Sequence, residues 1–436
     1  MNRVLNTPDG WLAAVKLFEA YLSRPRKVDD LMSGLSAQFS QRERRRCQFL
    51  LYGAIRNLEL ISITINSKVD KEPRRRLKSI LFIGATECLG DKKSRIPEIV
   101  DHAVGVSKHL LSSAETKFVN AVLRRTAECL SKIGEERHAI RNLEPEEFTR
   151  RLSYSFSHPP WLVRRWRKRL SEESVCKLVE WNQKSAVNYV YLKKGEVGSS
   201  RLGLVSTEWP GFYLTDGLDW NSVTDLISRG KAFVTDPANR LAVGLLDPRP
   251  GEAILDLCSA PGGKSLLISE NLKGADSLLV SLDRPGPRMG RLRENLGRIS
   301  GMRYEIIESD LLDVEPILFF DTALPASYDG VLLDVPCSNT GVLRRRPDAK
   351  WRLQEDDISH SATQQMVLLT QAARFVKPGG RLVYNTCSLE PEENEDVVEP
   401  FIDLSRNKFQ LVQRIHSRPW IEGHDGGGAF LLRRKR

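Results

Sequence analysis

Two cysteines in the last third of the chain each follow an apolar run, in Leu333-Asp334-Val335-Pro336-Cys337-Ser338 and Asn385-Thr386-Cys387-Ser388. Upstream, Asp256-Leu257-Cys258-Ser259-Ala260-Pro261-Gly262-Gly263-Lys264 places a glycine turn after another apolar run. This set suits methylation of a pyrimidine carbon through a covalent thiol adduct. Carbon 5 of cytosine is a poor nucleophile. A thiolate that adds to carbon 6 turns the ring into an enamine, and carbon 5 can then attack an electrophilic methyl group. A base must later remove the carbon 5 proton so that the thiolate can leave. Cysteine fits the first role, being soft and partly ionised in polar or positive surroundings. A carboxylate beside the base can hold ring nitrogen 3 and absorb the charge that develops there. Asp334 lies three residues before Cys337, at the end of Val331-Leu332-Leu333.

The elements around these residues alternate strand and helix. Ala253 to Leu257 is predicted as a buried strand, followed by the Gly262-Gly263 turn and a helix from Lys264 to Leu272. Ser277 to Leu282 is the next strand, with a helix from Arg288 to Arg298 behind it. Tyr304 to Ile307 leads to Asp310, and Gly330 to Leu333 ends at Asp334. A helix from Ser361 to Phe375 passes through Pro378-Gly379-Gly380 into a strand from Arg381 to Tyr384. The pattern predicts a doubly wound parallel sheet, with ligands beyond the carboxyl ends of its strands.

At 436 residues the chain is too long for one core. Three parts are expected: 1–140, helical; 141–235, a small α+β module; and 236–436, the α/β domain. In the first part Ala13, Leu17, Ala20 and Tyr21 mark one amphipathic face, and Phe49, Leu50, Ala54 and Ile55 another. Leu77, Ile80, Leu81 and Ala85 mark a third, and Phe118, Val119, Val122 and Leu123 a fourth. Lys and Arg number 66 against 56 Asp and Glu, a net charge of +10 that favours a polyanionic partner. The 7 cysteines are odd in number and form no C-x-x-C pair, which argues against a disulfide framework or a cysteine-rich zinc site. No histidine spacing suggests a metal, and no run approaches a membrane span. A cytoplasmic protein without a signal peptide is expected.

The segments Asp256 to Lys264, Asp334-Val335-Pro336-Cys337-Ser338-Asn339-Thr340-Gly341 and Asn385 to Asn394 closely resemble motifs of the RNA 5-methylcytosine methyltransferases. The helical part resembles NusB, an RNA-binding transcription factor, especially at Phe118-Val119-Asn120-Ala121-Val122-Leu123-Arg124. The resemblance covers nearly the whole chain. It implies a multidomain protein: an all-α NusB-like domain, a small α+β module and a Rossmann-like methyltransferase domain that uses S-adenosylmethionine. It implies Cys387 as nucleophile, Cys337 as the cysteine of proton removal and product release, and Asp334 as the cytosine-binding carboxylate. Cys258, Ser259, Ala260, Pro261, Gly262, Gly263 and Lys264 match the cofactor loop. Asp283 matches the ribose carboxylate and Asp310 the adenine-side residue, and Asp334 borders the cofactor as well. The implied partner is RNA, with 16S rRNA ahead of tRNA, and the implied state is a monomer. A NusB-like assembly factor without activity is the reading from a different class. The sequence departs from the family's usual pattern at Arg284-Pro285-Gly286-Pro287 and after Asp425-Gly426.

Plainer readings stand beside these. The Cys258 side chain reads as a small buried hydrophobe, and Asp283 or Asp310 alone could be a helix cap. Ser157-His158-Pro159-Pro160-Trp161 reads as a structural corner with a packed tryptophan. Arg42 to Arg46, Arg74 to Lys78 and Arg164 to Arg169 read as solvated helix faces. Arg344-Arg345-Arg346-Pro347-Asp348-Ala349-Lys350-Trp351 is expected to meet phosphates, with Trp351 packing or stacking.

Overall fold

A computed structural model describes residues 9–36, 38–90, 93–136, 143–193, 203–215, 220–274, 276–316, 324–406 and 408–436. The chain divides into two compact units. One comprises Met1–Ser185 with Leu343–Leu353, the other Ala186–Val342 with Gln354–Arg436. Their boundary falls inside the 141–235 segment expected as one module.

The first unit is helical. Its elements are α1 (Gly10–Ser23), α2 (Val28–Ser33), α3 (Gln41–Arg56), α4 (Leu58–Asn66), α5 (Arg75–Gly90), α6 (Ile96–Ser107) and α7 (Ser113–Glu136), then α8 (Pro145–Ser155), α9 (Pro160–Arg167) and α10 (Glu172–Gln183). Start signals are local. Asp9 accepts from Trp11 N at 2.8 Å, and Ser40 accepts from Glu43 N at 3.2 Å, each satisfying an amide that the first turn leaves open. The buried face of α1 is Trp11, Ala14, Val15, Phe18 and Tyr21, so Leu17 and Ala20 lie at its edge. Phe49 is half exposed rather than core-facing. In α5, Leu77 and the run Ser79 to Ala85 are buried, and Phe82 meets Phe18 at 5.0 Å between ring centres. His158 is fully buried, its Nδ1 2.6 Å from Phe156 O and its Nε2 3.2 Å from Asn182. The ring packs edge-on against Trp166, not Trp161, and burial holds its pKa well below the usual value. This is the structural corner.

The second unit carries two sheets. β1 (Tyr189–Leu192), β2 (Val205–Ser206), β3 (Phe212–Leu214) and β4 (Ala232–Val234) form a four-stranded antiparallel sheet in the order β2-β3-β1-β4. α11 (Trp220–Ser228) and α12 (Asn239–Leu246) flank β4 in the chain. The main sheet contains β5 (Ala253–Leu257), β6 (Leu278–Asp283), β7 (Arg303–Glu308), β8 (Tyr328–Asp334), β9 (Val376–Thr386), β10 (Phe409–Ser417) and β11 (Gly427–Arg434), in the order β10-β11-β9-β8-β5-β6-β7. α13 (Gly263–Asn271) and α14 (Met289–Leu296) connect its first three strands. α16 (Glu355–Ala373), α17 (Glu395–Leu404) and α18 (Pro419–Glu422) belong to its C-terminal part.

The expected parallel sheet is present from β7 to β9, but β11 runs antiparallel to both β9 and β10. The fold is therefore a mixed seven-stranded Rossmann-like sheet. Alternate residues face opposite cores. Leu255, Leu257, Val331, Leu333 and Leu382 join one cluster, while Ile254, Leu332 and Val383 join the other. Both faces are covered, so the strands read as continuous apolar runs.

The segment Leu343–Leu353, which holds α15 (Ala349–Arg352), belongs to the helical unit, and three of the residues expected to meet phosphates or stack are engaged within that unit. Arg344 lies 4.2 Å over the Trp181 ring and donates to Ser185 O at 2.9 and 2.7 Å. Lys350 is buried and donates to Arg56 O at 3.0 Å. Trp351 Nε1 donates to Ile55 O at 2.7 Å. Lys350 and Trp351 thus satisfy open carbonyls at the end of α3, and the Trp351 ring packs against the helical core.

Candidate active site

β8 and β9 are parallel neighbours with Asp334 level with Asn385. Their carboxyl ends therefore deliver Cys337 and Cys387 to the same place. The two sulfurs lie 3.0 Å apart, and both cysteines are free thiols. Asn339, in the left-handed region at φ 64, donates its amide to Cys337 O at 2.7 Å and places its oxygen 3.4 Å from Cys387 Sγ. Asparagine tolerates that backbone conformation better than most residues. Gly341 N donates to Cys387 O at 3.0 Å, and Gly426 N to Gly341 O at 2.9 Å. A Cβ on Gly341 would stand 2.4 Å from Gly426 O, so this crossing requires glycine. The departure noted after Asp425-Gly426 sits against the other cysteine loop, where a Cβ on Gly427 would stand 2.1 Å from Thr386 O.

Asp334 is held from two sides. Lys264 Nζ donates to Oδ2 at 2.7 Å, and Asn385 Nδ2 to Oδ1 at 2.5 Å. Burial opposes the Lys264 charge. Asp334, with Cys387 and Asp256 further off, more than offsets it and raises the lysine pKa. The Cys337 thiol is pushed well above its ordinary value. Its hydrogen bond to Cys387 is the main cause, followed by burial, the Cys387 charge and Glu393. Cys337 is thus held protonated beside Cys387, while Cys387 lies within the field of the Lys264 ammonium.

The glycine turn after β5 is organised by backbone and by one carboxylate. Ser259 N donates to Leu282 O at 3.1 Å, and Gly262 N to Ser259 O at 2.7 Å. Asp283, at the end of β6, accepts Ala260 N at 2.7 Å through one oxygen and Arg284 N at 2.7 Å through the other. Gly262 has φ +98, and a Cβ there would press on Leu292 and Leu296 at 3.0 Å. Asn295 donates to Pro261 O at 2.8 Å. Burial, helped by Asp283 and Asp334, pushes the Cys258 thiol up to about 12, which disfavours the reactive thiolate, and its side chain packs against the sheet core. Asp310 caps the turn at Leu311–Asp313 by accepting Leu312 N at 3.0 Å, and Arg284 stands 3.9 Å away.

Several residues escaped the sequence reading although the quoted motifs contain most of them. Asn385 orients Asp334. Asp256 is fully buried and accepts from Ser265 at 2.5 Å, and burial raises it to about 7. Glu393 is a buried carboxylate that gathers both cysteine loops through Ser338 and Ser388. A polar residue inside a motif does not reveal from sequence which neighbour it bonds. Among the described residues no group of His, Cys, Asp and Glu could hold a metal ion, and no helix is long and apolar enough to cross a membrane.

Residues 243–424 match the family 16S rRNA methyltransferase RsmB/F, and residues 12–128 match the NusB family. The ribosomal RNA small subunit methyltransferase B of Vibrio cholerae is 31% identical, over 86% of this chain and 85% of that one. Its counterpart in Pseudomonas syringae pv. tomato is 30% identical, over 95% and 94%. The chain belongs to the ribosomal RNA small subunit methyltransferase B family. The fold agrees. The solved structure of PH0851 has a TM-score of 0.74 at 22% identity, covering 98% of this chain and 99% of that one. A methyltransferase homologue from Pyrococcus horikoshii has a TM-score of 0.54 at 22% identity, covering 67% and 100%. Within this family the helical unit is the NusB part and the mixed sheet the methyltransferase part.

Proposed function

We propose that this chain methylates carbon 5 of a cytosine in 16S rRNA, using S-adenosylmethionine and a covalent adduct on Cys387. The observation that carries the reading is the pair of sulfurs 3.0 Å apart, with Asp334 held by Lys264 and Asn385 at the ends of the same two strands. Bound S-adenosylmethionine would supply an electrophilic methyl group. The turn around Gly262 packs closely on Leu292 and Leu296 and opens α13 at the strand end, and Asp283 keeps acceptor capacity for ribose hydroxyls. Asp310 lies at the end of the next strand, suited to the adenine side.

Cys387 adds to carbon 6, its thiol proton passes to nitrogen 3, and the Asp334 carboxylate accepts the resulting N–H bond; the proton returns to Cys387 when the adduct breaks. Carbon 5 takes the methyl group. Adduct formation removes the Cys337–Cys387 hydrogen bond, the largest influence keeping Cys337 a thiol. Cys337 then gives its proton to water and its thiolate takes the carbon 5 proton. The carbon 6–sulfur bond breaks, and the electron pair returns to Cys387. The reading carries with it RNA as partner, a monomer and a cytoplasmic setting.

Substitution of each cysteine tests it. Cys387→Ala should abolish turnover and any covalent RNA adduct. Cys337→Ala should trap the adduct on a denaturing gel, because attack survives while elimination is blocked. An adduct with Cys387→Ala and none with Cys337→Ala would reverse the roles. Bisulfite sequencing of rRNA and tRNA from a deletion strain separates the two substrates: loss of a mark from tRNA alone would refute the 16S rRNA reading.

A further inference from the structure

The two sulfurs meet only because loops from different strands are tied together, and one side chain ties both. Glu393 is fully buried in the short turn Pro391–Glu393. Its Oε1 accepts from Ser338 N at 2.8 Å and from Gln365 Nε2 at 3.1 Å. Its Oε2 accepts from the hydroxyls of Ser338 and Ser388. Ser338 directly follows Cys337, and Ser388 directly follows Cys387. Four neutral donors thus converge on one buried carboxylate, and each favours its ionised form against the cost of burial.

The two loops depend on this group unequally. Both loops have other anchors, Gly341 N on Cys387 O at 3.0 Å and Gln365 Nε2 on Pro336 O at 2.9 Å among them, but Ser388 gives Glu393 its hydroxyl alone. Thr386 Oγ1 receives Ser388 N at 3.2 Å, Asn394 binds Ser388 O at 3.0 Å, and Leu389 N reaches Thr340 at 2.9 Å. On the other loop, Ser338 directs both its N–H and its hydroxyl to Glu393. A carboxylate can only accept, so it draws both serine hydroxyls toward itself as donors.

We propose that Glu393 is a positioning residue for the release half of the reaction, fixing Cys337 where it can take the carbon 5 proton. The inference rests on the covalent reading above and assigns a cause to the placement of the second cysteine. Glu393 touches no reacting atom. Its charge adds to the influences that keep Cys337 a thiol, and its hydrogen bonds act through the peptide at Ser338, whose displacement moves the Cys337 sulfur away from the adduct.

The test is a single-turnover reaction of the full-length protein with unmethylated 16S rRNA and S-adenosylmethionine, followed on denaturing gels. Glu393→Gln keeps shape and one acceptor but loses the charge. It should form the covalent adduct at close to the unchanged rate, while adduct breakdown slows by about 100-fold, the scale of a displaced catalytic group. The adduct should therefore accumulate, which a generally weakened fold would not produce. Breakdown at the unchanged rate would overturn the proposal. So would loss of adduct formation in a variant that still binds S-adenosylmethionine, since Glu393 would then act on Cys387. If Glu393→Gln does not fold, Ser338→Ala decides by the same readout, because it removes one bond and keeps the carboxylate. Failure of both Cys337→Ala and Cys387→Ala to trap an adduct would instead refute the covalent reading itself.

Discussion

Lys264 and Lys350 are both largely buried lysines, one in the sheet-containing unit and one in the helical unit, and their surroundings are opposite. Lys264 meets the Asp334 carboxylate at 2.7 Å, and its pKa is raised. Lys350 donates to a backbone carbonyl, Arg56 O, and stands 5.1 Å from the Trp351 ring centre; burial, aided by Arg56 and opposed by Glu59, lowers its pKa well below the usual value. The first is a fixed cation beside a reactive thiol and a carboxylate. The second is an amine whose charged form burial disfavours, and it closes a helix end. What separates the two lysines is the partner, not the depth of burial.

Lys264→Met would sharpen this contrast most. It strips Asp334 of its cation and Cys387 of a positive field, so the rate of adduct formation should fall by about 100-fold or more. A rate within about threefold of the unchanged protein, well below the cost of losing such a group, would show that the pair is structural. Asp283→Ala comes next. It should weaken S-adenosylmethionine binding by about 10- to 100-fold, through loss of a charge-assisted contact. The same change frees Ala260 N and Arg284 N, so the loop should loosen as well. Calorimetric titration with unchanged affinity would remove Asp283 from the cofactor site.

Lys350→Met has the smallest effect and reads the other side of the comparison. The folded pKa of Lys350 lies below its unfolded value near 10.5, so the unfolded chain binds more protons between those limits. Stability should therefore rise as pH rises from the depressed folded pKa toward 10.5, by at most about 1.4 kcal/mol per pH unit. Lys350→Met should flatten that part of the curve, measured by denaturant midpoints from pH 7 to 10, and leave adduct formation unchanged. A retained slope would mean that Lys350 stays charged in the folded protein.

The cysteines, Asp334, the 258–264 turn and Asp283 were legible because each sits at the end of an apolar run, where a parallel sheet presents ligand-facing residues. The helices of the first unit were legible from apolar periodicity, although α1 buries Phe18 rather than Leu17 because packing against α3 and α5 selects the face. The antiparallel β11 was not legible, since its direction depends on pairing with β9 across a stretch containing β10 and two helices.

The residue types by themselves determined the chemistry: two thiols, a carboxylate and a glycine turn, each set after a strand by local pattern. Only the tertiary structure decided which groups meet. It sent Arg344, Lys350 and Trp351 into the helical unit, away from the phosphate role their composition suggests. It also brought Glu393 between two serines fifty positions apart in the chain. Periodicity encodes which face of an element is apolar. Partners for buried polar groups are chosen by loop closure across strands, and no local pattern records that choice.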